Sequence, residues 1–424
     1  MKSINRRNFI KTAGTVGTVT VVAPSVAFGY KANSAVRMGI IGCGNRGTGV
    51  ISTMSRNANI VIAAMADLFK DKLDASRLVL NKQNQAKGFP DIPDSATYVG
   101  ANSYEQLLNN PDIDAVLISS PAYTHADFLG AAVKSGKHVY CEKPAAPDVA
   151  GCRKVERIGR EYDGKLSMTI GFQIRRATPY VEMVNRIHRG AIGDIISGEL
   201  HYFSSMPGVK EHTGMSYDET RIRNQYHFRE LSGGILLDQG IHIIDVCNWA
   251  LGSHPVSASG SGSQKGRTGF GNSWSNYQAI FKYPNDINVS FHSTQIGSRF
   301  GDVCIRFMGT EGIAEAHYSG GVFINGTNPW DSGVAHSEAS VTAEQRSAGV
   351  FLSSLHDADP NKGSSFIRSI ETGNYLNELQ PAVESTLSAA LGREAATQGE
   401  EVSWDENYFS NAGLDPALNL AQFE

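Results

Sequence analysis

The chain has 424 residues, more than one hydrophobic core usually serves, so two folded units are expected. Hydrophobic residues make up 41% and charged residues 19%, and the formal net charge of −4 leaves no basic surplus for holding nucleic acid. The five cysteines, Cys43, Cys141, Cys152, Cys247 and Cys304, are odd in number and widely spaced without a CxxC, so they read as buried thiols; neither a disulfide framework nor a structural metal site is expected.

Residues 1–34 stand apart. A basic start containing Arg6-Arg7-Asn8-Phe9-Ile10-Lys11 is followed by an uncharged stretch of Thr, Gly, Val and Ala up to Gly29, with small residues at Ser25 and Ala27. This composition fits a signal peptide, and the paired arginines fit the twin-arginine class. The apolar part is too short and too rich in Gly and Thr to span a bilayer stably, and no later run reaches about eighteen apolar residues. The expectation is an extracytoplasmic, periplasmic protein without stable membrane insertion. The twin-arginine machinery, which moves folded proteins, would be its export partner.

From residue 35 to 165 apolar strand candidates alternate with helix-like segments: Val36 to Ile41, Ile60 to Ala66, Ala115 to Ser119, His138 to Cys141 and, just beyond, Leu166 to Gly171, with helices near Ala126 to Lys134 and Asp148 to Tyr162. Strand, turn, helix and strand in that order predict a Rossmann domain with a doubly wound parallel sheet, hence an α/β chain. Residues 166–424 change texture. Helices are expected near Thr178 to Arg189 and Gly234 to Leu251, with half-alternating strands at Asp194 to Phe203, Ser275 to Tyr283, Ile287 to Gln295, Val303 to Met308 and Gly312 to His317. That pattern predicts an α+β domain with an open, mainly antiparallel sheet. Thr327 to Asp359 reads as loop, and a helical tail follows through Phe366, Ile370, Val383, Leu387 and Ala395.

Gly42-Cys43-Gly44-Asn45-Arg46-Gly47 directly follows the first strand and opens a helix. The first glycine permits a tight turn, the second lets the backbone approach a pyrophosphate, and the third lets helix and strand close-pack, while the helix N-terminus attracts the phosphate charge. Asp67, at the end of the second strand, is placed to bind the adenosine ribose hydroxyls. It would repel a 2′-phosphate, and Leu68 and Phe69 offer no guanidinium to hold one, so NAD is favoured; Lys70 and Lys72 keep NADP open. The competing reading of Asp67 is a helix N-cap.

Glu142-Lys143-Pro144 ends the strand His138 to Cys141, where doubly wound sheets gather ligands, and the Lys143 ammonium can stabilise a developing alkoxide. Asp238 and His242 lie four residues apart on a predicted helix face. A histidine has a pKa suited to taking a hydroxyl proton, and an aspartate can orient it. The competing reading is a satisfied core pair, and Asp245 on the same face suits a polar cap.

Together the glycine loop, Ser120-Pro121…His125, Glu142-Lys143-Pro144, Gly171-Phe172-Gln173…Arg176…Pro179-Tyr180 and Asp238…His242 resemble the Gfo/Idh/MocA family of glucose-fructose oxidoreductase, inositol dehydrogenase and rhizopine catabolism. The tail Leu391-Gly392-Arg393-Glu394-Ala395 and Val402-Ser403-Trp404-Asp405 is similar to that of its twin-arginine-exported branch. The resemblance implies Lys143, Asp238 and His242 as catalytic residues. It places Ser120, Pro121, His125, Glu142 and Lys143 along the cofactor, suggests Arg176, Tyr180 and His201 for the sugar side, and implies a homo-oligomer.

The expected activity is hydride transfer to or from a secondary hydroxyl or keto group of a sugar, inositol or glycoside, with tightly held NAD. The alternative is an NAD-dependent glycosidase acting by transient oxidation and elimination. Exported relatives include such enzymes, although they tend to depart from the Glu-Lys-Pro pattern.

Overall fold

The computed structural model describes residues 34–211, 213–267, 269–296, 301–334, 354–410 and 413–424. The expected export segment therefore lies outside the described residues but for Ser34, and all that follows concerns the unit Val36–Glu424. Among the described residues no helix is long and apolar enough to cross a membrane.

The short apolar runs at the start of this unit form six parallel strands: β1 (Val36–Ile41), β2 (Ile60–Asp67), β3 (Thr97–Val99), β4 (Ala115–Ile118), β5 (His138–Cys141) and β6 (Met168–Ile170), in the order β3-β2-β1-β4-β5-β6. Between them run α1 (Asn45–Asn57), α2 (Lys70–Ala86), α3 (Ser103–Leu108), α4 (His125–Lys134) and α5 (Val149–Glu161). The central strands are mostly apolar because both faces are covered, β4 being buried at every residue, whereas the edge strand β3 leaves Val99 exposed. Met38 and Ile40 pack with Ile51 and Met54 of α1 and with Phe366 and Ile367 from far along the chain, while Val116 and Ile118 share the second core with Leu129 of α4 and Val155 of α5. β6 lies past the expected boundary at residue 165 and completes the first sheet, because its apolar Met168 and Ile170 pair beside Val139 and Cys141 of β5.

The second sheet has nine strands: β7 (Ile195–Phe203), β8 (Ser257–Ser263), β9 (Asn276–Lys282), β10 (Asn288–Thr294), β11 (Asp302–Gly309), β12 (Gly312–His317), β13 (Val322–Gly326), β14 (Trp330–Asp331) and β15 (Val402–Ser403), in the order β14-β13-β12-β11-β7-β10-β9-β8-β15. Only β7 and β10 run parallel; the other neighbours are antiparallel, so the sheet is mixed and mostly antiparallel. β13 continues to Gly326 and β14 lies within the stretch expected to be loop, of which residues 335–353 are outside the described residues. β8 has the sequence Ser-Ala-Ser-Gly-Ser-Gly-Ser and no strand signal. Its glycines instead allow close pairing, since a Cβ at Gly260 or Gly262 would sit 2.6 Å or 2.5 Å from a backbone oxygen of the β9 side.

Helices cover one face of this sheet: α6 (Thr178–His188) on β12 and β13, α8 (Ile241–Leu251) on β7 and β11, α10 (Leu379–Gln398) on β8 and β9, and α11 (Trp404–Phe409) beside β15; α7 (Tyr217–Arg223) lies in the chain between β7 and α8, and α9 (Ala358–Thr372) packs instead on α1 and β1 of the first domain. Strand alternation follows this, with Leu200 and Tyr202 buried under the helices while Glu199, His201 and Phe203 point to the open face. α10 is buried nearly all round, and Gly392 lets it settle on Phe281, whose ring would lie 2.6 Å from a Cβ there.

Candidate active site

The glycine loop has the geometry its sequence requires. Gly42 adopts φ +93°, and a Cβ there would lie 2.5 Å from the Ser120 nitrogen; a Cβ at Gly47 would lie 2.3 Å from the Gly42 carbonyl oxygen. At Gly44, by contrast, a Cβ would meet nothing within 4 Å, so the backbone at the N-terminus of α1 faces open space. That is the cradle a pyrophosphate needs. Asn45 begins α1, and Cys43 turns its thiol into the core, leaving its backbone toward the loop.

Asp67 binds this loop directly. Its Oδ2 accepts the Cys43 N–H at 2.6 Å and its Oδ1 accepts the Phe69 N–H at 2.8 Å. Burial pushes its pKa up, and the two N–H donors oppose that. The N-cap position of α2 is Phe69, so Asp67 is not the cap. Ser120 and Pro121 follow β4, and the Ser120 hydroxyl is 2.6 Å from that of Thr124. His125 is buried with both ring nitrogens on backbone oxygens, 2.7 Å from that of Pro144 and 2.9 Å from that of Ser120. Burial keeps the ring neutral, so its one N–H donates to one of these two oxygens, and His125 stands between the loops that follow β4 and β5.

Arg46 also departs from a simple phosphate contact. Its guanidinium donates to Glu142 at 3.1 Å, to Gln173 at 2.6 Å and to both oxygens of Asp359 at 2.9 Å and 3.0 Å. Burial pushes its pKa down, but the charges of Asp359 and Glu142 dominate and hold the cation. Gly171 leaves room for the Glu142 carboxyl, which would be 2.9 Å from a Cβ there.

Lys143 precedes a cis proline and carries its ammonium 3.1 Å from Asp238 Oδ1, where it also donates to the Asp238 carbonyl oxygen. Asp238 lies in a π-helical turn, Leu236–Gly240, that runs straight into α8, on whose first turn His242 stands. Such wide turns recur at functional sites because they re-aim side chains without breaking the helix. Nδ1 of His242 is buried without a hydrogen-bond partner. Burial lowers the His242 pKa well below the ordinary value, and the charges of Lys143 and Arg46 lower it further, so the imidazole is neutral. A neutral ring with an unpartnered nitrogen, close enough to Lys143 to feel its charge, has one nitrogen able to accept a proton and one N–H to donate.

Two contributors were missed by sequence reasoning. Tyr226 is 38% exposed over the whole residue, but its phenol end is enclosed near Asp238 and Glu142, and that burial and then their charges push its pKa up. Arg393, 1% exposed, donates to the Pro147 oxygen at 2.7 Å and the Gly233 oxygen at 3.0 Å, bracing the loop after Lys143 against the loop before Asp238. The sequence marks Arg393 only as part of the tail Leu391-Gly392-Arg393-Glu394-Ala395, a lone arginine among small residues, without assigning it to the site.

The residues suggested for the sugar side are not brought together. Tyr180 is fully buried in the core, Arg176 is ion-paired with Glu378, and His201 lies on the open sheet face because β-strand alternation turns it away from the helices. Asp245 is structural: Arg175 clamps both its oxygens at 3.0 Å and Ser385 donates at 2.7 Å. Strand pairing also gathers what spacing kept apart, since ligand atoms of Cys304, Glu315 and His317 come within 4.8 Å of one another, near His201. His317 there already bonds Glu315 and Asp302.

Residues 36–170 match the family model described as oxidoreductase family, NAD-binding Rossmann fold, and residues 180–315 match the Gfo/Idh/MocA C-terminal domain. The chain is 28% identical over 228 residues to glycosyl hydrolase family 109 protein 1 of Shewanella sp. (strain ANA-3), covering 49% of this chain and 47% of that protein. It thus spans about half the length of the curated relatives it matches. A putative myo-inositol dehydrogenase from Sinorhizobium meliloti 1021 superposes with a TM-score of 0.64 at 22% identity, covering 87% of this chain and 99% of that one. Levoglucosan dehydrogenase, solved with NADH and L-sorbose, does so with a TM-score of 0.65 at 18% identity, covering 87% and 98%. At these identities the likeness is one of fold.

Proposed function

Because this chain belongs to the Gfo/Idh/MocA family of oxidoreductases, we propose that it moves a hydride between NAD and a secondary hydroxyl or keto group of a sugar, inositol or glycoside. The observation that carries this reading is the convergence of Lys143, Asp238 and the neutral His242, whose Nδ1 has no hydrogen-bond partner. When bound, NAD supplies the hydride acceptor or donor. The open backbone at Gly44 and the N-terminus of α1 would hold its pyrophosphate, and the remaining lone pairs of Asp67 its adenosine ribose. In the oxidising direction His242 takes the hydroxyl proton as the C–H electron pair departs, leaving a carbonyl. Lys143, held by Asp238, donates to the reacting oxygen where negative charge develops. Arg46, Glu142 and Asp359 form a fixed charged wall beside this centre.

The curated relatives' name favours a second reading, cleavage of a glycoside by the same residues with no net redox change. One sample tests both. The purified protein is denatured and any released nucleotide identified, while the native protein is given a panel of sugars and glycosides. Net nicotinamide reduction supports the oxidoreductase; glycoside cleavage without it supports the second reading. Absence of nucleotide together with no binding of added NAD(P) would overturn both.

The same reading takes the protein to be exported through the twin-arginine route, on the strength of Arg6-Arg7 and the segment after them, and to keep NAD tightly bound. It also takes the protein to be a homo-oligomer. The open face of the second sheet supports this, since it exposes Ile280 and Ile313 at 48% and 40%. Cell fractionation and light scattering check these two points.

A further inference from the structure

The segment 413–424 crosses from the helical layer to the carboxyl ends of β2 and β3. The Leu414 N–H donates to Asp148 Oδ2 at 2.6 Å, the N-cap residue of α5. Further along, the Ala417 oxygen accepts from Arg221 of α7 at 3.2 Å, and Asp218 Oδ2 accepts both the Asn419 N–H and the Gln422 side-chain amide at 3.0 Å. Phe423 then meets the Phe69 ring edge-on, with centroids 5.6 Å apart at 85°. Gly100 has to be glycine for this approach, because a Cβ there would lie 2.8 Å from the Phe423 carbonyl oxygen.

These contacts surround Asp67. Phe69 is two residues beyond it and donates its N–H to the Asp67 carboxylate, and the Gly100 N–H donates to the Asp67 carbonyl oxygen at 3.1 Å. From the other side α7 places the Arg223 guanidinium 3.9 Å over the Phe69 ring and anchors it on Asp71 at 2.8 Å and 3.0 Å. In doubly wound sheets the adenosine half of a dinucleotide lies in the crevice outside the ends of β1 and β2. Two elements foreign to the Rossmann domain thus border the place where that half would sit.

We infer that residues 413–424, with α7, form a strap that holds the adenosine half of the dinucleotide and slows its release. The inference rests on the dinucleotide reading of Asp67 and the glycine loop. The strap is fastened by a few hydrogen bonds from exposed residues, so its opening is a local event that leaves the core intact. Closed, it obstructs departure of the nucleotide; opened, it lets the nucleotide go.

The test follows NADH fluorescence after rapid mixing of the loaded full-length protein with excess NAD. Three variants are compared with the natural chain: Phe423→Ala, Asp218→Ala and a deletion of 413–424. Release at least tenfold faster in Phe423→Ala and in the deletion, with the melting temperature of Phe423→Ala little changed, is the expected result. AMP should lose affinity in the same variants while nicotinamide mononucleotide does not. Unchanged release in Phe423→Ala and Asp218→Ala overturns the strap, whether or not the deletion folds. If the natural chain binds no NADH at all, the dinucleotide reading falls, and the strap with it.

Discussion

The ammonium of Lys143 lies 3.1 Å from Oδ1 of Asp238, a residue 95 positions further along the chain and in the helical layer of the other sheet. This pair joins the end of β5 to the π-helical turn before α8, so the chemistry proposed here exists only once both halves have folded together.

Replacing His242 by Gln or Lys143 by Met should lower kcat by about 10²- to 10⁴-fold, the usual contribution of a positioned acid or base. NADH affinity, read by fluorescence titration, should stay within a few-fold. Loss of the folded state in both variants would instead mark the pair as core structure.

The pH dependence follows from the depressed pKa of His242, caused by burial and then by the charges of Lys143 and Arg46. The base stays neutral through mild acid, so kcat/KM should fall only well below pH 6.5. In Lys143→Met one cationic neighbour is gone, so the His242 pKa rises and the acid limb moves to higher pH. Residual activity profiles and an NMR titration of the imidazole check the sign.

Gly44 and Gly47 should respond differently to alanine. Gly44→Ala adds a Cβ in open space and should leave stability within about 0.5 kcal/mol, yet weaken NADH binding at least tenfold by obstructing the cradle. Gly47→Ala forces a Cβ to within 2.3 Å of the Gly42 oxygen. Overpacking of this kind should cost about 1–3 kcal/mol in thermal unfolding.

Arg393→Met keeps volume but abandons the carbonyls of Pro147 and Gly233. Each buried acceptor left unpaired costs about 1–3 kcal/mol, so the melting temperature should fall. Because these carbonyls flank the Lys143 and Asp238 loops, kcat should fall more than KM changes, and Arg393→Lys should restore part of it.

Glu378 is held at a pKa of about 2, with Lys362, Arg176 and Thr169 outweighing its burial. Its contribution is present above the ordinary glutamate pKa and is lost as pH falls from there toward 2. Lys362 is itself pushed down by burial, which offsets part of the gain. Glu378→Gln should flatten the acid stability profile over that window and, by leaving Lys362 buried and unpaired, cost about 3–5 kcal/mol at neutral pH in a denaturant titration.

What the sequence determined by itself is what depends on near neighbours. The strands Val36–Ile41, His138–Cys141 and Gly312–His317 were legible because burial on one or both faces writes a short-range pattern, and the glycine loop because its constraints on backbone and Cβ fall within a few residues. The Ser-Gly strand β8 was not, since its partner β9 and the helix over it supply what its own side chains lack. Only the tertiary structure decided that Arg46 pairs with Asp359 across 313 residues, that Arg393 braces the Pro147 and Gly233 carbonyls, and that Phe423 reaches Phe69. Side-chain orientation and ion pairing depend on which distant element packs nearby, and no periodicity in one stretch of chain encodes that choice.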